Sequence, residues 1–334
     1  IKAIEYMELG AKQGNMDAIL NLGTLYISGF GVEQNFSKAK EYYEYYISRS
    51  DHANIFAYIN LGILYLHGLS GKHDFSKAKH YLEIGAKQNH PVAFCNLGYL
   101  YFNGYGIPRD YLKAKYYFEL AAKHNISEAY VNLAGLYFNG LGVEKNCSKA
   151  IEYYELSAKQ NNSYALLSLG NIYYEGMNDK KDYFKAHNYF YKSAILGDSV
   201  AMYELGNIYL TGKGVKKDKL KAVCYYELSS HKGNSHAFYQ LGNLYSNGEF
   251  FDIDIKKSIE FFEKSINKQK DVYKTSKNNN GYMFLITSNN LIKYCCCNNL
   301  GLIYIVFYQD INNAIKYIKE SAFAEYSFGQ NNYG

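Results

Sequence analysis

The sequence has no tryptophan, no run of five residues of one charge sign, and no apolar stretch near the 18 residues that a membrane-spanning helix needs. Lys and Arg together number 36 against 31 Asp and Glu, so the net charge of +5 is mild, and it is spread along the chain. Nucleic-acid binders typically concentrate their basic residues, so no nucleic-acid partner is expected. The composition predicts a soluble protein without membrane insertion.

The glycine-rich stretch NLGYLYFNGYGIPRD, residues 96–110, looks at first like a phosphate-binding loop. Such a loop needs one place where backbone N–H groups converge on an anion, so it should occur once. Here it recurs along the chain, first after 39 and then five times after 36 residues, a period typical of helical solenoids. The glycines are therefore predicted to be structural. The leucines that mark the copies are Leu22, Leu61, Leu97, Leu133, Leu169, Leu205 and Leu241, with a looser eighth at Leu300.

Each copy predicts two helices. In residues 129–160, Ala129, Leu133, Leu136 and Tyr137 fall on one face of a first helix, and Gly140 stands where that helix should end. A second helix follows, with Asp or Asn as its N-cap four residues before a position that is alanine in most copies. The predicted N-caps are Asn35, Asp74, Asp110, Asn146, Asp182, Asp218, Asp254 and Asp310.

The second helix carries a packing signal of its own. Aromatic or apolar residues follow its alanine at +3 and +4, and a small residue, such as Ala86 or Ala122, follows at +8. A glycine or alanine also stands directly after the marker leucine of the first helix, as at Gly98. We expect the small residues to let the helices approach closely and the rings to fill the space beside them.

The pattern A-x-x-x-L-G-x-L-Y-x-x-G-x-G-V-x-x-D-x-x-K-A-x-x-Y-Y-x-x-A-A resembles the Sel-1-like repeat, a relative of the tetratricopeptide repeat, over about 290 of the 334 residues. The resemblance implies an all-α fold, a right-handed α/α superhelical solenoid of helix-turn-helix repeats. A half repeat at 1–15 and seven copies of about 36 residues fill 1–267. A polar, Asn-rich insertion at 268–292 is predicted to be a loop. Residues 293–328 follow as a degenerate eighth repeat or C-terminal cap, and 329–334 as a tail. Because the chain starts within a repeat, we expect a monomeric array inside a larger protein.

The histidines and cysteines do not predict a metal site or a cofactor. His67 and His73 lie near Asp74, but a zinc site needs three or four ligands at recognisable spacing, so a solvated loop with a capping aspartate is favoured. The triplet 295–297 is all cysteine, with Cys296 at the first-helix alanine position, and is expected to supply small core residues. No nucleophile has a base partner, so the sequence predicts a protein that is not an enzyme.

The compartment is predicted from the other cysteines. Cys95, Cys147 and Cys224 share no repeat position, whereas secreted bacterial members of the family that the chain resembles carry a disulfide in each repeat. The resemblance thus favours a reduced, cytoplasmic location. Four N-x-S sequons leave the lumen of the endoplasmic reticulum as the minor alternative, and they begin at Asn35, Asn125, Asn146 and Asn161.

A polar stripe on the first helices is the candidate binding surface. Counted from the first-helix alanine, offsets −1, +3, +6 and +10 share one face, and we call these positions the first-helix stripe. In related repeat families the stacked copies of this face line a concave surface that binds peptides. Asparagines at +3 either bond neighbouring helices or meet a ligand backbone, and both interpretations stay open. The predicted partner-binding residues on or beside the stripe are Asn171, Asn207, Asn243, Asn103, Asn139, Asn247, Tyr99, His67, Glu175, Tyr203 and Tyr239.

The leading functional prediction is a non-enzymatic scaffold or adaptor that binds a peptide or a partner protein in the groove of the solenoid. Alternatives are an accessory repeat region of a larger signalling protein such as a kinase, or a degradation adaptor of the endoplasmic reticulum. An RNA-binding helical repeat is a further alternative, but the +6 and +10 positions carry no Lys or Arg.

Overall fold

The structure is a computed structural model that describes residues 2–50, 53–177, 181–248, 252–276 and 283–332, with side chains described up to 268 and again at 291–322. Within those ranges it consists of helices with no strand, which confirms the all-α prediction. The chain divides into two compact units, unit 1 (Ile1–Ser157) and unit 2 (Ala158–Gly334).

Unit 1 is a series of paired helices. The short helix α1 packs on α2, and then α2 pairs with α3, α4 with α5 and α6 with α7. The last pair, α8 and α9, meets through Tyr137 and Tyr153, whose rings stack at 5.8 Å. The elements are α1 (Lys2–Lys12), α2 (Met16–Ser28), α3 (Phe36–Arg49), α4 (Ile55–His67), α5 (Phe75–Lys87), α6 (Pro91–Asn103), α7 (Tyr111–Ala122), α8 (Ser127–Asn139) and α9 (Cys147–Ala158).

Unit 2 repeats the same arrangement. Its helices pair as α10 with α11, α12 with α13, α14 with α15 and α16 with α17, and each pair packs on the next. The helix-turn-helix solenoid arrangement predicted from the repeats is thus confirmed within each unit. The elements are α10 (Ser163–Glu175), α11 (Tyr183–Ile195), α12 (Ser199–Thr211), α13 (Lys219–His231), α14 (Ser235–Ser246), α15 (Ile255–Ser276), α16 (Met283–Val306) and α17 (Ile311–Asn332).

The predicted N-caps are confirmed in all eight copies. Each side-chain oxygen accepts a hydrogen bond from the backbone N–H three residues later, at 2.8–3.0 Å. The cap also fixes the loop before it, because its own N–H donates to the first helix of the pair, as from Asp110 to the Tyr101 carbonyl at 3.0 Å. The loop between the two helices of each repeat is therefore held at its end.

The glycines act as structural residues. Gly104 ends α6 with φ 71°, the left-handed conformation that favours glycine, and its N–H donates to the Leu100 carbonyl. Gly98 lies under the ring of Phe118, where a Cβ would come within 2.6 Å of the ring, so the aromatic side chain packs directly on the helix backbone. The prediction that small residues allow close approach of rings is confirmed at this position.

The small positions of the second helix extend over two residues. At +8, Ala194 is buried as expected, whereas Ala86 and Ala122 are only half-buried. At +7, Gly85 and Ala121 are buried as well. The alanine and the residues at +4 and +7 lie close together on one face of a helix, so the side that packs against the first helix includes +7, a position that the sequence analysis did not single out.

The predicted loop at 268–292 is also corrected. Helix α15 continues to Ser276 and α16 begins at Met283, so most of this segment is helical, while 277–282 lie outside the described residues. The polar composition misled the prediction, because 268–276 contain no glycine or proline and consist largely of residues that tolerate a helix. Among the described residues, no helix is both long and apolar enough to cross a membrane.

Candidate functional site

A groove of about 460 Å³ lies across three first helices of unit 1, α4, α6 and α8. Its walls include Tyr99 at +6 and His67 at +10 of the first-helix stripe. Asn96 and Asn132, both at +3, line it from neighbouring repeats, and Glu128 is a carboxylate at −1. The stripe that the sequence singles out therefore borders a cavity of the size that small ligands and side chains occupy.

The two asparagines of the groove present acceptors. The amide nitrogen of Asn96 donates to the Val92 carbonyl at 2.8 Å, and that of Asn132 donates to the Glu128 carbonyl at 2.8 Å. Each bond stays within its own helix. Because the amide nitrogen is the donor in this bond, the side-chain oxygen is the atom that can accept a hydrogen bond from a ligand. The expectation that +3 asparagines bond neighbouring helices does not apply to this pair. It does apply to Asn60, which donates to the Tyr43 hydroxyl at 2.9 Å.

Burial keeps the titratable groups around Tyr99 neutral. The His67 ring lies 6.3 Å from the Tyr99 ring, and burial, followed by the charge of His73, lowers the pKa of His67. Burial, followed by the negative charge of Glu128, raises the pKa of Cys95 to about 12. At neutral pH the groove therefore contains a neutral imidazole and a protonated thiol beside one carboxylate.

In unit 2 the stripe is bonded internally around Asn207. Its side-chain oxygen accepts from the Tyr226 hydroxyl at 2.7 Å, and its amide nitrogen donates to Glu204 at 3.1 Å. Glu204 is half-buried, and burial raises its pKa while the hydrogen bond from Asn207 lowers it. Tyr203, beside this group, packs its ring against those of Tyr226 and His236 at 5.9 and 5.6 Å. These side chains form one connected network.

Asn243 has an internal partner as well. The amide nitrogen of Asn299, on α16, donates to the Asn243 side-chain oxygen at 2.9 Å. The neighbouring Tyr239 packs on Phe262 with ring centroids 5.9 Å apart and belongs to the core around Cys296. Both residues therefore stabilise the packing of α14 on its neighbours.

The remaining predicted residues lie at or near helix C-termini or on exposed faces. Asn103 and Asn139 donate to carbonyls of their own helices, those of Tyr99 and Gly135, both at 2.9 Å. Asn171, Glu175 and Asn247 are exposed, and Asn247 is the C-cap of α14.

One determinant of the stripe was missed in the sequence. Where the +4 residue of the second helix is tyrosine, its buried hydroxyl bonds a polar +6 residue of the same repeat, as Tyr226 bonds Asn207 and Tyr43 bonds Thr24 at 3.0 Å. Around the groove the +4 residues are Leu82, Phe118 and Tyr154, and the repeat of Tyr154 has Gly135 at +6, which offers no side chain to bond. The identity of the +4 residue was the available signal for the bonds of Asn207 and Thr24, but not for that of Asn243, whose repeat has Phe262 at +4.

The cysteine triplet is placed as expected. Cys296 and Cys297 are fully buried in the core between α15, α16 and α17, and burial raises the pKa of Cys296 to about 12. The Nδ1 atom of His73 lies 2.8 Å from the carbonyl oxygen of Leu66, at hydrogen-bond distance. Among the described residues, no three His, Cys, Asp or Glu side chains are grouped as they would be around a metal ion.

A second cavity in unit 1 gives a comparison surface. It measures about 450 Å³ and lies among α7, α8 and α9, with Tyr116 and Tyr153 in its lining. Leu133 and Ala122 contribute apolar surface, and Lys123 and Glu119 contribute opposite charges. Its lining comes mainly from second helices, so it is distinct from the groove on the stripe.

Known proteins share both the sequence pattern and the fold. The profile described as Sel1 repeat matches residues 1–15, 17–45, 55–90, 91–126, 127–162, 163–198, 199–234 and 235–269. A Sel1 repeat protein from Oxalobacter formigenes is similar at 28% identity with a TM-score of 0.66, over 74% of this chain and 99% of that one. A protective antigen of uropathogenic Escherichia coli, described as displaying an SLR fold, is similar at 25% identity with a TM-score of 0.62. The match covers 98% of this chain and 74% of that one. A search of curated proteins gave no match.

Proposed function

The chain belongs to the Sel1 repeat family, and from that premise we propose that it is a non-enzymatic scaffold whose groove around Tyr99 binds a segment of a partner protein. Proteins of this family are generally scaffolds for protein interactions. Binding a segment in a groove requires no catalytic residues. The residues that line this groove include no nucleophile paired with a base and no pair of carboxylates.

The observation that carries this proposal is the coincidence of the stripe and the groove. The groove lies at stripe positions contributed by three consecutive repeats, so a segment lying in it would contact α4, α6 and α8 together. An extended segment bound across stacked helices can place side chains in the groove while its backbone meets amide groups. The +3 side chains Asn96 and Asn132 are suited to that second contact because their oxygens can accept backbone N–H groups.

The stripe of unit 2 contributes less to the proposed site. Asn207 and Asn243 already have partners within the protein, so a ligand would have to replace those bonds. Asn171 and Glu175, which are exposed, form a separate candidate contact on unit 2. We therefore assign the binding of the partner segment to the groove at Tyr99 and His67.

The proposal is tested by site-directed cross-linking. A photo-reactive amino acid replaces His67, whose side chain borders the groove, and the labelled protein is incubated with cell lysate and irradiated. We expect defined proteins to be linked at this position, and we expect Tyr99→Ala to reduce their capture at least about tenfold, because a central aromatic contact commonly dominates a protein interface.

The matched control is Tyr116→Ala, which removes a ring 58% exposed at the second cavity of unit 1. This variant should retain the proteins linked at position 67, and circular dichroism should show that both variants keep their helix content. Undiminished capture by Tyr99→Ala would contradict the proposal, and loss with Tyr116→Ala alone would move the binding surface to the second cavity.

A further inference from the structure

The first-helix stripe has an unusual charge for this protein. Across its four positions in seven copies there is no Lys or Arg, although the chain has 36 of them and a net charge of +5. The charged residues of the stripe are the four acids Asp17, Glu128, Glu175 and Glu204. Its two histidines, His67 and His236, have pKa values lowered by burial, so they add no positive charge at neutral pH. The stripe is acidic on a basic chain.

The groove of unit 1 concentrates this character. Glu128 provides a carboxylate, and the side-chain oxygens of Asn96 and Asn132 are acceptors because their amide nitrogens are bonded to helix carbonyls. None of the residues lining the groove is Lys or Arg. A ligand that brings hydrogen-bond donors and positive charge therefore meets complementary groups, whereas a carboxylate would be repelled by Glu128.

The apolar part of the groove suits the stem of a long side chain. Val92 and Ile126 line the groove, and Cys95 is there as an uncharged thiol. Tyr99 presents an aromatic ring beside the acceptors, and a cation held over such a ring is attracted by its quadrupole. A side chain with a hydrocarbon stem and a cationic head combines both requirements.

We propose that the groove of unit 1 binds an arginine side chain of an extended partner segment, with the guanidinium between Tyr99, Glu128 and the asparagine oxygens. Arginine fits better than lysine because its planar group offers five N–H donors to several acceptors at once and stacks on an aromatic face. This inference rests on the proposed function, since it names the chemistry of the segment that the groove receives.

The test uses libraries of nine-residue peptides with randomised flanks and a fixed central residue, arginine, lysine, citrulline or glutamate. Citrulline has the shape of arginine without its charge. Retention on the immobilised whole chain measures binding, and cross-linking of the retained peptides to the same chain with a photo-reactive amino acid at position 67 shows whether the groove is filled. Both readouts are collected without further change and for two variants.

We expect the arginine library to be retained about tenfold more than the citrulline library, with lysine between them, and to be cross-linked at position 67. In Glu128→Gln, the arginine library should be retained no more than about twofold better than the citrulline library. Glu152→Gln makes the same chemical change at an exposed residue of α9 outside the groove and should preserve the ratio.

The contrary outcomes separate the two proposals. Equal retention of the arginine and citrulline libraries, with cross-linking at position 67, would overturn the arginine inference and leave the groove as a binding site. Preferential retention of the glutamate library would overturn it as well. Cross-linking of no library at position 67 would count against the groove itself, and therefore against the proposed function.

Discussion

The first-helix stripe is used differently in the two units. In unit 1, Asn96 and Asn132 bond only their own helices and border an open groove. In unit 2, Asn207 connects the Tyr226 hydroxyl with Glu204, and Asn243 accepts a bond from Asn299. Asparagine on the stripe is thus available to a ligand at the groove of unit 1 and committed to an internal bond at Asn207 and Asn243 of unit 2, as it also is at Asn60, away from the groove.

One physical cause of this difference lies on the second helices. A tyrosine hydroxyl buried at +4 needs a hydrogen-bond partner, and the +6 side chain of the first helix is near enough to supply it. Phenylalanine or leucine at +4 makes no such demand on the +6 residue. The +4 residue does not act alone, because Asn243, in a repeat with Phe262 at +4, is bonded by Asn299. A side chain that faces the core therefore decides the internal bond of Asn207, whereas a neighbouring helix decides that of Asn243.

The largest expected effect is that of Asn207→Ala. Tyr226 is fully buried, so removing its acceptor leaves a buried hydroxyl without a partner and deprives Glu204 of a donor. We expect a loss of about 1–3 kcal/mol in the free energy of unfolding. Chemical denaturation followed by circular dichroism measures it.

The matched variant in unit 1 is Asn96→Ala. It removes a side-chain bond to the Val92 carbonyl, which lies in the same helix and can still accept a backbone bond. The loss in the free energy of unfolding should stay within about 0.5 kcal/mol, the usual range for surface substitutions. Equal losses for the two variants would contradict the assignment of different roles to the two asparagines.

Much of the fold could be predicted from the sequence, because caps and helix-terminal glycines are local signals. Asp110 and Gly104 form hydrogen bonds to residues within one repeat, so the repeat pattern alone predicts their roles. The role of Asn207 could not be deduced in the same way, since it depends on the hydroxyl of Tyr226, 19 positions later. The groove at Tyr99 depends on three repeats together, so the stripe was predictable and the cavity was not.

A second, smaller effect tests the rule at +4 directly. Phe190 occupies in α11 the place that Tyr226 has in α13, and Asn171 is the exposed +6 residue of its repeat. Phe190→Tyr should bring a hydroxyl to Asn171 and create a bond with a coupling energy of about 0.5–1.5 kcal/mol. A double-mutant cycle with Asn171→Ala measures that coupling.

The reference for this cycle is the natural pair, Tyr226→Phe with Asn207→Ala, which should show coupling of the same sign. If the introduced tyrosine is uncoupled from Asn171 while the natural pair is coupled, the +4 residue is insufficient to decide how the stripe is used. The rule would then need a contribution from Glu204, which has a serine, Ser168, as its counterpart in the α10 repeat.

The smallest expected effect concerns the ionisation of Glu204. Burial raises its pKa in the folded protein, with the hydrogen bond from Asn207 acting in the opposite direction. A carboxyl whose pKa is raised on folding binds its proton more tightly in the folded state, so stability falls as the pH rises from the ordinary glutamate pKa of about 4.3. Glu204→Gln removes that cost while keeping an acceptor for Asn207, and should raise the melting temperature slightly at pH 7. The gain should shrink as the pH approaches 4, and a gain that instead grew on acidification would show that the Glu204 carboxylate stabilises unit 2.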